Sequence, residues 1–386
     1  MNASYPPRQS SLPRPPRAVY IAATLVVILL TLVFAELSVR LFCPQWLRAL
    51  MREQQAGHAV TVGSDAEWPI ELQNGHFLRF KALSQFAMIT REYVNRVHID
   101  TWGGRMVRPV HAGRPLLFWF GDSFTFGTGV EDEDTFVSRV CSSLGRRCVN
   151  LGVPGSCLSD HLDILEARNL ELGSPSDYVF VVYLGNDLDD MMVRSEAPPS
   201  KPPKPTINRN APQALNRLNA LAQPVFRHSY AAQLTKAVVL QVLNRRTRNV
   251  VAEPIFSIML SDSDYARRAE CVLSDNITRL ESVASTLHFK YRFILIPDRH
   301  QISRALRQAK SSYYGLELSK LDPRLPNRIV ARQLARRGIE YLDLTDDLEE
   351  RGDLYYVKDG HLTTKGHAYV AERILAGFGQ KLGIAR

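Results

Sequence analysis

Residues 116–127 read LLFWFGDSFTFG, in which five large apolar residues are followed at once by a glycine, an acid and a serine. An uninterrupted apolar run is typical of a strand that is buried on both faces of a sheet. The change at Gly121, Asp122 and Ser123 has two interpretations, a plain turn or a strand end that presents the serine hydroxyl to a substrate. The choice depends on which residues stand at the ends of the other strands of the domain.

Similar apolar runs alternate with helical patterns throughout residues 113–386. The runs occur at residues 147–151, 177–184, 291–297 and 339–344. Apolar residues recur at helical spacing in the last segment of the chain and in residues 132–144, 159–172, 262–288 and 325–337. Continuous apolar strands that alternate with helices predict a parallel sheet covered on both faces. We therefore expect one doubly wound α/β domain with about five strands.

The remaining sequence predicts smaller parts around this domain. Residues 1–17 are rich in Pro and Arg and predict a disordered tail. Residues 43–112 predict a polar stalk followed by a small β prelude. An insertion at about residues 193–261 begins with the polyproline-type sequence APPSKPPKP and continues with helical patterns. We expect this insertion to cover one rim of the sheet.

Residues 18–35 contain no charged side chain. As a helix this segment would be about 27 Å long, close to the hydrocarbon thickness of a bilayer. We predict a single-pass anchor over residues 18–42, with the N-terminus in the cytoplasm because arginines precede the apolar segment. Residues 43–386 would then lie in the periplasm or outside the cell. A signal peptide cleaved after residues 33–35 and a buried core helix are the alternatives.

Composition argues against several other classes of protein. The net charge of +9 is modest for 386 residues, and paired arginines are scattered along the chain, so no nucleic-acid partner is expected. The five cysteines form no CxxC pair and no Cys/His cluster, so no metal or other cofactor is expected. Cys141 and Cys148 either form a disulfide in an oxidising compartment or remain buried free thiols.

Small and polar residues stand where the strands end. Ser123 comes after the first strand, Gly155 after the second and Asn186 after the third, while Asp359 and His361 precede the last helix. Ligands of open parallel sheets bind beyond the carboxyl ends of the strands. We therefore expect these residues to meet at one rim of the sheet.

These residue types match the needs of acyl transfer to a serine. Ser123 is the candidate nucleophile, His361 the base that takes its proton, and Asp359 the carboxylate that orients the base. The backbone N–H groups of Ser123 and Gly155, with the side-chain amide of Asn186, are the candidate oxyanion hole. A glycine suits this position because a side chain would block close approach of the backbone.

The segments GDSFTFG, NLGVPG, GND and DGHLTTKGH occur in this order and together resemble the four sequence blocks of the SGNH/GDSL hydrolase superfamily. The resemblance covers about residues 75–386 and implies the same site residues. It implies a flavodoxin-like α/β fold, a three-layer sandwich with a mostly parallel five-stranded sheet, here preceded by a transmembrane helix and a small β prelude. WGGR at residues 102–105 resembles a segment found before the first block in membrane-anchored members.

The sequence departs from the common pattern of this superfamily at one point and is ambiguous at another. A single residue separates Asp359 from His361, whereas the common block has two. The shorter form resembles a branch that includes alginate O-acetyltransferase-like proteins, and it leaves open which carboxylate orients the base. Gly152 competes with Gly155 for the oxyanion role, and the spacing from Asn150 favours Gly155.

Other polar residues have weaker functional interpretations. His161 either lines the cleft or plays no part in it. Asp298, Arg299 and His300 come after the fourth strand and either touch substrate or form a plain loop. His367 is expected at the surface or behind the site.

The sequence thus favours an SGNH-type serine esterase or acyl-esterase that acts outside the cytoplasm through an acyl-serine intermediate. One alternative is an O-acetyltransferase acting on a cell-envelope polysaccharide. Another is a module without catalytic activity that binds an envelope glycan or a partner. The expected partners are an ester or acylated-glycan substrate and the membrane, while the sequence leaves the oligomeric state open.

Overall fold

A computed structural model describes the greater part of the chain, and all structural statements concern that part. It comprises residues 17–42, 59–60, 69–73, 76–90, 92–110, 117–172, 177–196, 229–232, 234–235, 254–260 and 263–383. Most of the expected tail and stalk, and much of the expected insertion, therefore lie outside the described residues.

Ten strands and thirteen helices are described, and they are numbered in chain order. The strands are β1 Ala59–Val60, β2 Ile70–Gln73, β3 His76–Phe80, β4 Gln85–Ile89, β5 Val94–His98, β6 Leu117–Phe120, β7 Cys148–Asn150, β8 Asp177–Tyr183, β9 Lys290–Ile296 and β10 Tyr341–Asp343. The helices are α1 Arg17–Phe42, α2 Ser123–Phe126, α3 Phe136–Leu144, α4 Leu158–Ala167, α5 Asn169–Leu172, α6 Asp187–Glu196, α7 Pro254–Met259, α8 Asp264–Leu287, α9 Arg299–Ile302, α10 Arg304–Tyr314, α11 Leu325–Arg336, α12 Thr345–Leu348 and α13 Thr364–Gly383.

The central sheet confirms the expected flavodoxin-like arrangement. Its five strands lie in the order β10-β9-β8-β6-β7, and every neighbouring pair is parallel. From β6, the chain adds β7 on one side of the sheet and then β8, β9 and β10 on the other, so the strand order reverses between β6 and β8. In open α/β sheets the crevice beside such a reversal is where ligands bind.

Helices cover both faces of this sheet, as the continuous apolar strands require. On one face, Trp119 and Val181 from the strands pack into a buried cluster with Val140 of α3 and Ile374 of α13. On the other face, Phe118 and Phe180 from the strands join a larger buried cluster with helices α4, α8 and α11. These helices contribute Leu162, Ile277 and Val330, respectively. The result is a three-layer sandwich.

The expected helix over residues 132–144 is interrupted near its start. Residues Asp132–Asp134 form a separate 3-10 turn, and α3 begins only at Phe136, where the Thr135 hydroxyl accepts the Ser138 N–H at 3.0 Å. The interruption has a clear cause, because the buried Asp132 carboxylate binds the guanidinium of Arg105. At the other end, Cys141 of α3 forms a disulfide with Cys148 of β7.

The β prelude packs directly against the end of the sheet that carries Ser123. It contains the antiparallel pair β2-β3 and the three-stranded sheet β1-β4-β5. Phe80 and Phe86 of these strands pack on Phe126 of α2. The buried Arg105 side chain donates hydrogen bonds to three carbonyl oxygens at and just after the end of α2, those of Phe126, Gly127 and Val130.

Helix α1 is long and apolar enough to cross a membrane. The segment Ala23–Phe42 has a mean hydropathy of 2.3, and none of its residues is fully buried by the rest of the protein. Near its end, the Glu36 carboxylate accepts hydrogen bonds from the Ser229 hydroxyl at 2.8 Å and from the Tyr230 and Ala231 N–H groups. Val39 packs beside β4. The helix is thus in contact with the domain at its C-terminal end.

Candidate active site

Ser123 stands at the first position of α2, immediately beyond β6. The Asp122 carboxylate caps this short helix by accepting the Phe124 N–H at 2.8 Å. A β-carbon on Gly121 would lie 2.1 Å from the Thr125 hydroxyl oxygen, so only glycine fits the close turn between strand and helix. The turn leaves the Ser123 side chain half-buried at the carboxyl end of the sheet.

His361 and Asp359 lie beside Ser123. The His361 Nε2 atom is 2.7 Å from the Ser123 hydroxyl oxygen, and its Nδ1 atom is hydrogen-bonded to the Asp359 carboxylate. Gly360 between them adopts a φ of 90°, which glycine tolerates and which lets the two side chains meet across a single intervening residue. The short spacing is therefore compatible with Asp359 as the partner of the ring.

The Asp359 carboxylate is held in its ionised form. Burial opposes ionisation, but hydrogen bonds and charge from His361, followed by a hydrogen bond from Tyr93, keep the pKa of Asp359 below its usual value. The Tyr93 hydroxyl donates to the second carboxylate oxygen at 3.1 Å. Sequence reasoning missed Tyr93, because 266 residues separate it from Asp359 and nothing in its β-like segment suggested a catalytic neighbour.

Gly155 suits the oxyanion role better than Gly152. The Gly152 N–H already donates to the Asn150 side chain at 3.0 Å. Gly155 has a φ of 74°, and its carbonyl oxygen accepts the Arg194 guanidinium at 3.1 Å. Arg194 also pairs with Asp160 at 2.9 Å, which ties α6 to the start of α4. Sequence reasoning did not identify Arg194.

Asn186 comes after β8 at the same rim. One N–H of its side-chain amide donates to the Asp190 carboxylate, which leaves the other N–H available. Burial raises the pKa of Asp190 to about 6. The next residue, Asp187, is buried and accepts the Tyr183 N–H at 3.0 Å, and burial raises its pKa well above the usual value. Asp187 therefore stabilises the turn after β8.

An aromatic surface adjoins the candidate triad. The rings of Phe124 and Tyr183 stack with centroids 3.9 Å apart, and Phe124 lies 5.1 Å from the His361 ring. The Tyr183 hydroxyl donates to the Asp298 carboxylate at 2.6 Å. The packed Phe124 ring therefore limits the movement of the His361 imidazole.

His161 is buried below the loop that carries Gly155 rather than exposed in a cleft. Its Nε2 atom is 2.8 Å from the Ser156 hydroxyl, which itself lies 2.7 Å from the Val153 carbonyl oxygen. Burial lowers the pKa of His161 to about 4, so the ring is neutral near pH 7. Its role in this structure is to support the loop that carries Gly155.

The other weaker candidates have structural partners. Asp298 caps α9 and binds the His300 ring at 2.7 Å, and both side chains are buried. Arg299 donates to the Val357 carbonyl oxygen at 2.6 Å and so holds the loop before Asp359. His367 is buried, not at the surface, because its Nδ1 atom accepts the Phe136 N–H at the start of α3.

No group of His, Cys, Asp or Glu side chains within the described residues is arranged to hold a metal ion. The groups that the structure brings into hydrogen-bond contact are the Ser123 hydroxyl, the His361 imidazole and the Asp359 carboxylate. Gly155 and Asn186 follow β7 and β8, the two strands that flank β6 in the sheet.

Comparison with known proteins gives one family match and distant matches to solved structures. The sequence model of the family described as GDSL-like Lipase/Acylhydrolase matches residues 117–374. No curated protein sequence matches the chain significantly. Among solved structures, a lipolytic protein of the G-D-S-L family from Veillonella parvula is 14% identical with a TM-score of 0.37, and the match covers 68% of this chain and 98% of that one.

Two structures of esterases are similarly distant. The acetyl xylan esterase AlAXEase is 13% identical with a TM-score of 0.36, and the match covers 68% of this chain and 98% of that one. A family two carbohydrate esterase from Clostridium thermocellum, in complex with cellohexaose, is 10% identical with a TM-score of 0.35 and coverages of 71% and 67%. Likenesses this low carry no argument about the substrate of this chain. The family match spans well over half of the chain, and the protein therefore belongs to the GDSL-like lipase/acylhydrolase family of ester-hydrolysing enzymes.

Proposed function

We propose that the protein is a serine esterase in which the substrate acylates Ser123 and water then hydrolyses the acyl-serine. The observation that carries this proposal is the position of His361, with Nε2 2.7 Å from the Ser123 hydroxyl and Nδ1 bonded to Asp359. A serine hydroxyl needs a base to become nucleophilic, and a histidine needs a carboxylate to fix its tautomer and stabilise its charged form.

The reaction would proceed through two similar halves. Ser123 transfers its proton to His361 as its oxygen attacks the ester carbonyl, and His361 then gives the proton to the departing alcohol. Water repeats the sequence on the acyl-serine and releases the acid. In both halves the N–H groups of Ser123 and Gly155 and the Asn186 amide would bind the negative oxygen of the tetrahedral intermediate.

The proposal predicts that Ser123→Ala abolishes hydrolysis of p-nitrophenyl acetate by the full-length protein in detergent. We expect kcat to fall by roughly 10⁴-fold or more, as for other serine triads. Ser143→Ala is the matched control, because this exposed hydroxyl on α3 donates to the Arg139 carbonyl oxygen, away from the site. Full activity of Ser123→Ala would overturn the proposal.

Acyl transfer to a sugar hydroxyl of an envelope polysaccharide is the second candidate. It is favoured by the single residue between Asp359 and His361, which resembles the acetyltransferase-like branch of the superfamily. The acyl-serine would form in the same way, with a sugar oxygen replacing water in the second half. Measuring acetate released to water against acetyl groups transferred to added glycans separates the two functions.

The proposed location is a single-pass membrane protein with its catalytic domain outside the cytoplasm. Residues 1–17 would form the cytoplasmic tail, 18–42 the anchor, 43–112 the stalk and prelude, and 113–386 the hydrolase domain with an insertion at about 193–261. The disulfide Cys141–Cys148 supports this location, because disulfides persist in oxidising compartments.

A further inference from the structure

The turn between β4 and β5 of the prelude reaches the loop that carries Asp359. The Thr90 hydroxyl accepts the N–H groups of Glu92 and Tyr93 at 3.1 and 3.2 Å, which holds the backbone of these two residues. The side chains of Glu92 and Tyr93 extend from this turn to the loop that precedes His361. No sequence block identified these contacts, since 266 residues separate Tyr93 from Asp359.

Glu92 binds the backbone of the loop. Its carboxylate accepts the Asp359 N–H at 2.7 Å and the Lys358 N–H at 3.0 Å. The tip of this loop is exposed, with 82% of the Val357 surface accessible to solvent, and it is held by these bonds together with that of Arg299 to the Val357 carbonyl oxygen. Two charge-assisted hydrogen bonds from outside the loop restrict its movement where regular secondary structure does not.

Tyr93 binds the side chain of Asp359. Its hydroxyl donates to one carboxylate oxygen at 3.1 Å, while the other oxygen is bonded to His361 Nδ1. The Tyr93 ring is 7% exposed and packs on Tyr356 with ring centroids 5.0 Å apart. The phenol is therefore held rigidly, and rotation of the carboxylate away from His361 would break its hydrogen bond.

We propose that Tyr93, with Glu92, is a positioning residue that holds Asp359 in the orientation in which it binds His361. The β prelude is then a working part of the active site rather than a neighbouring module. This inference rests on the proposed function of Ser123 and adds a contribution from outside the four sequence blocks. Rigid support of this kind matters because small displacements of catalytic groups cost large factors in rate.

The test is Tyr93→Phe in the full-length protein, assayed with p-nitrophenyl acetate. We expect kcat to fall about tenfold with KM changed less than twofold, because a hydrogen bond to a charged group is lost and substrate contacts are not. The rate at which a fluorophosphonate labels Ser123 should fall by a similar factor. Glu92→Ala should lower kcat in the same way, and Glu92→Gln, which retains an acceptor oxygen, should restore part of it.

Tyr369→Phe is the matched control, because its hydroxyl donates to the Asp347 carbonyl oxygen at 3.1 Å, away from Asp359 and His361. It should leave kcat within about twofold of wild type, since neutral hydrogen bonds contribute modestly. A folded Tyr93→Phe protein with the kcat of wild type would overturn the positioning role. So would a variant in which kcat and KM change by the same factor and the melting temperature falls, because this pattern indicates a general structural defect. If Ser123→Ala is inactive in the same assay, failure of the positioning role of Tyr93 leaves the proposed esterase function intact.

Discussion

At the scale of single residues, the proposed oxyanion hole requires N–H donors that are oriented before substrate arrives. The Asn186 amide is fixed by its bond to Asp190, and the Gly155 loop is fixed by the bond from Arg194 to its carbonyl oxygen. Donors that are already oriented need no reorganisation when charge develops on the substrate. Removing one should therefore affect the transition state more than substrate binding.

We predict that Asn186→Ala lowers kcat about 100-fold with little change in KM, the usual cost of losing one oxyanion donor. Steady-state kinetics with p-nitrophenyl acetate measure both constants. Asn276→Ala is the control, because that amide donates to the Val272 carbonyl oxygen within α8. A kcat for Asn186→Ala within a few-fold of wild type would show that this amide does not bind the oxyanion.

The site residues differ in how well the sequence could predict them. Ser123, Gly155, Asn186, Asp359 and His361 could be proposed because small or polar residues stand out after apolar strands or before the last helix. Tyr93, Glu92 and Arg194 could not, because their functional contacts come from tertiary packing between distant segments. The hydrogen-bond partners of the proposed site residues were therefore missed, whereas the proposed residues themselves could be named from the sequence.

At the scale of elements, the start of α4 supports the loop that carries Gly155 through the neutral ring of His161. Because burial lowers its pKa from 6.5 to about 4, the unfolded chain binds a proton between these pH values that the folded protein does not. Stability must therefore fall as pH drops through this window. His367 contributes in the same direction, since burial lowers its pKa well below the usual value.

We predict that the His161 ring alone lowers the free energy of unfolding by about 3 kcal/mol when the pH falls from 6.5 to 4. This value is the difference between the pKa values of 6.5 and about 4, at 1.36 kcal/mol per pKa unit. The free energy of unfolding of wild type and His161→Gln, measured at pH 7 and near pH 4, tests this. The variant should lose less stability in acid than wild type. Identical pH dependence of the two proteins would contradict a buried neutral ring.

Elements were predicted well where their apolar pattern was strong. The five strands of the sheet and the long helices α8, α11 and α13 result directly from continuous or helically spaced apolar residues. The break at Asp132–Asp134 was not predicted, because it depends on the buried pair of Asp132 with Arg105, which comes from the prelude. Tertiary electrostatics here outweigh local propensity.

At the scale of the whole molecule, helix α1 and the domain are joined by contacts as well as by the chain. Glu36 accepts the N–H groups of Tyr230 and Ala231 at the start of a helical turn, and Arg40 lies 5.0 Å above the Tyr230 ring. A carboxylate is costly in hydrocarbon, so Glu36 is best accommodated at the membrane surface. These contacts would place the domain beside the membrane.

Cys271 provides a natural reporter of this topology, because it is an exposed free thiol whereas Cys157 is buried. In a Cys43→Ser background, a membrane-impermeant maleimide should label the protein in cells whose inner membrane is intact. The added substitution Cys271→Ser should remove the label. Labelling that occurs only after the inner membrane is broken would place the domain in the cytoplasm and contradict the proposed orientation.

The central claim is that Ser123 is the nucleophile, and fluorophosphonate labelling followed by peptide mass spectrometry tests it most directly. We predict one phosphonyl group on Ser123, loss of esterase activity in proportion to labelling, and much slower labelling in His361→Ala. Complete loss of activity with the phosphonyl group on another residue, or full activity with Ser123 fully labelled, would contradict the account.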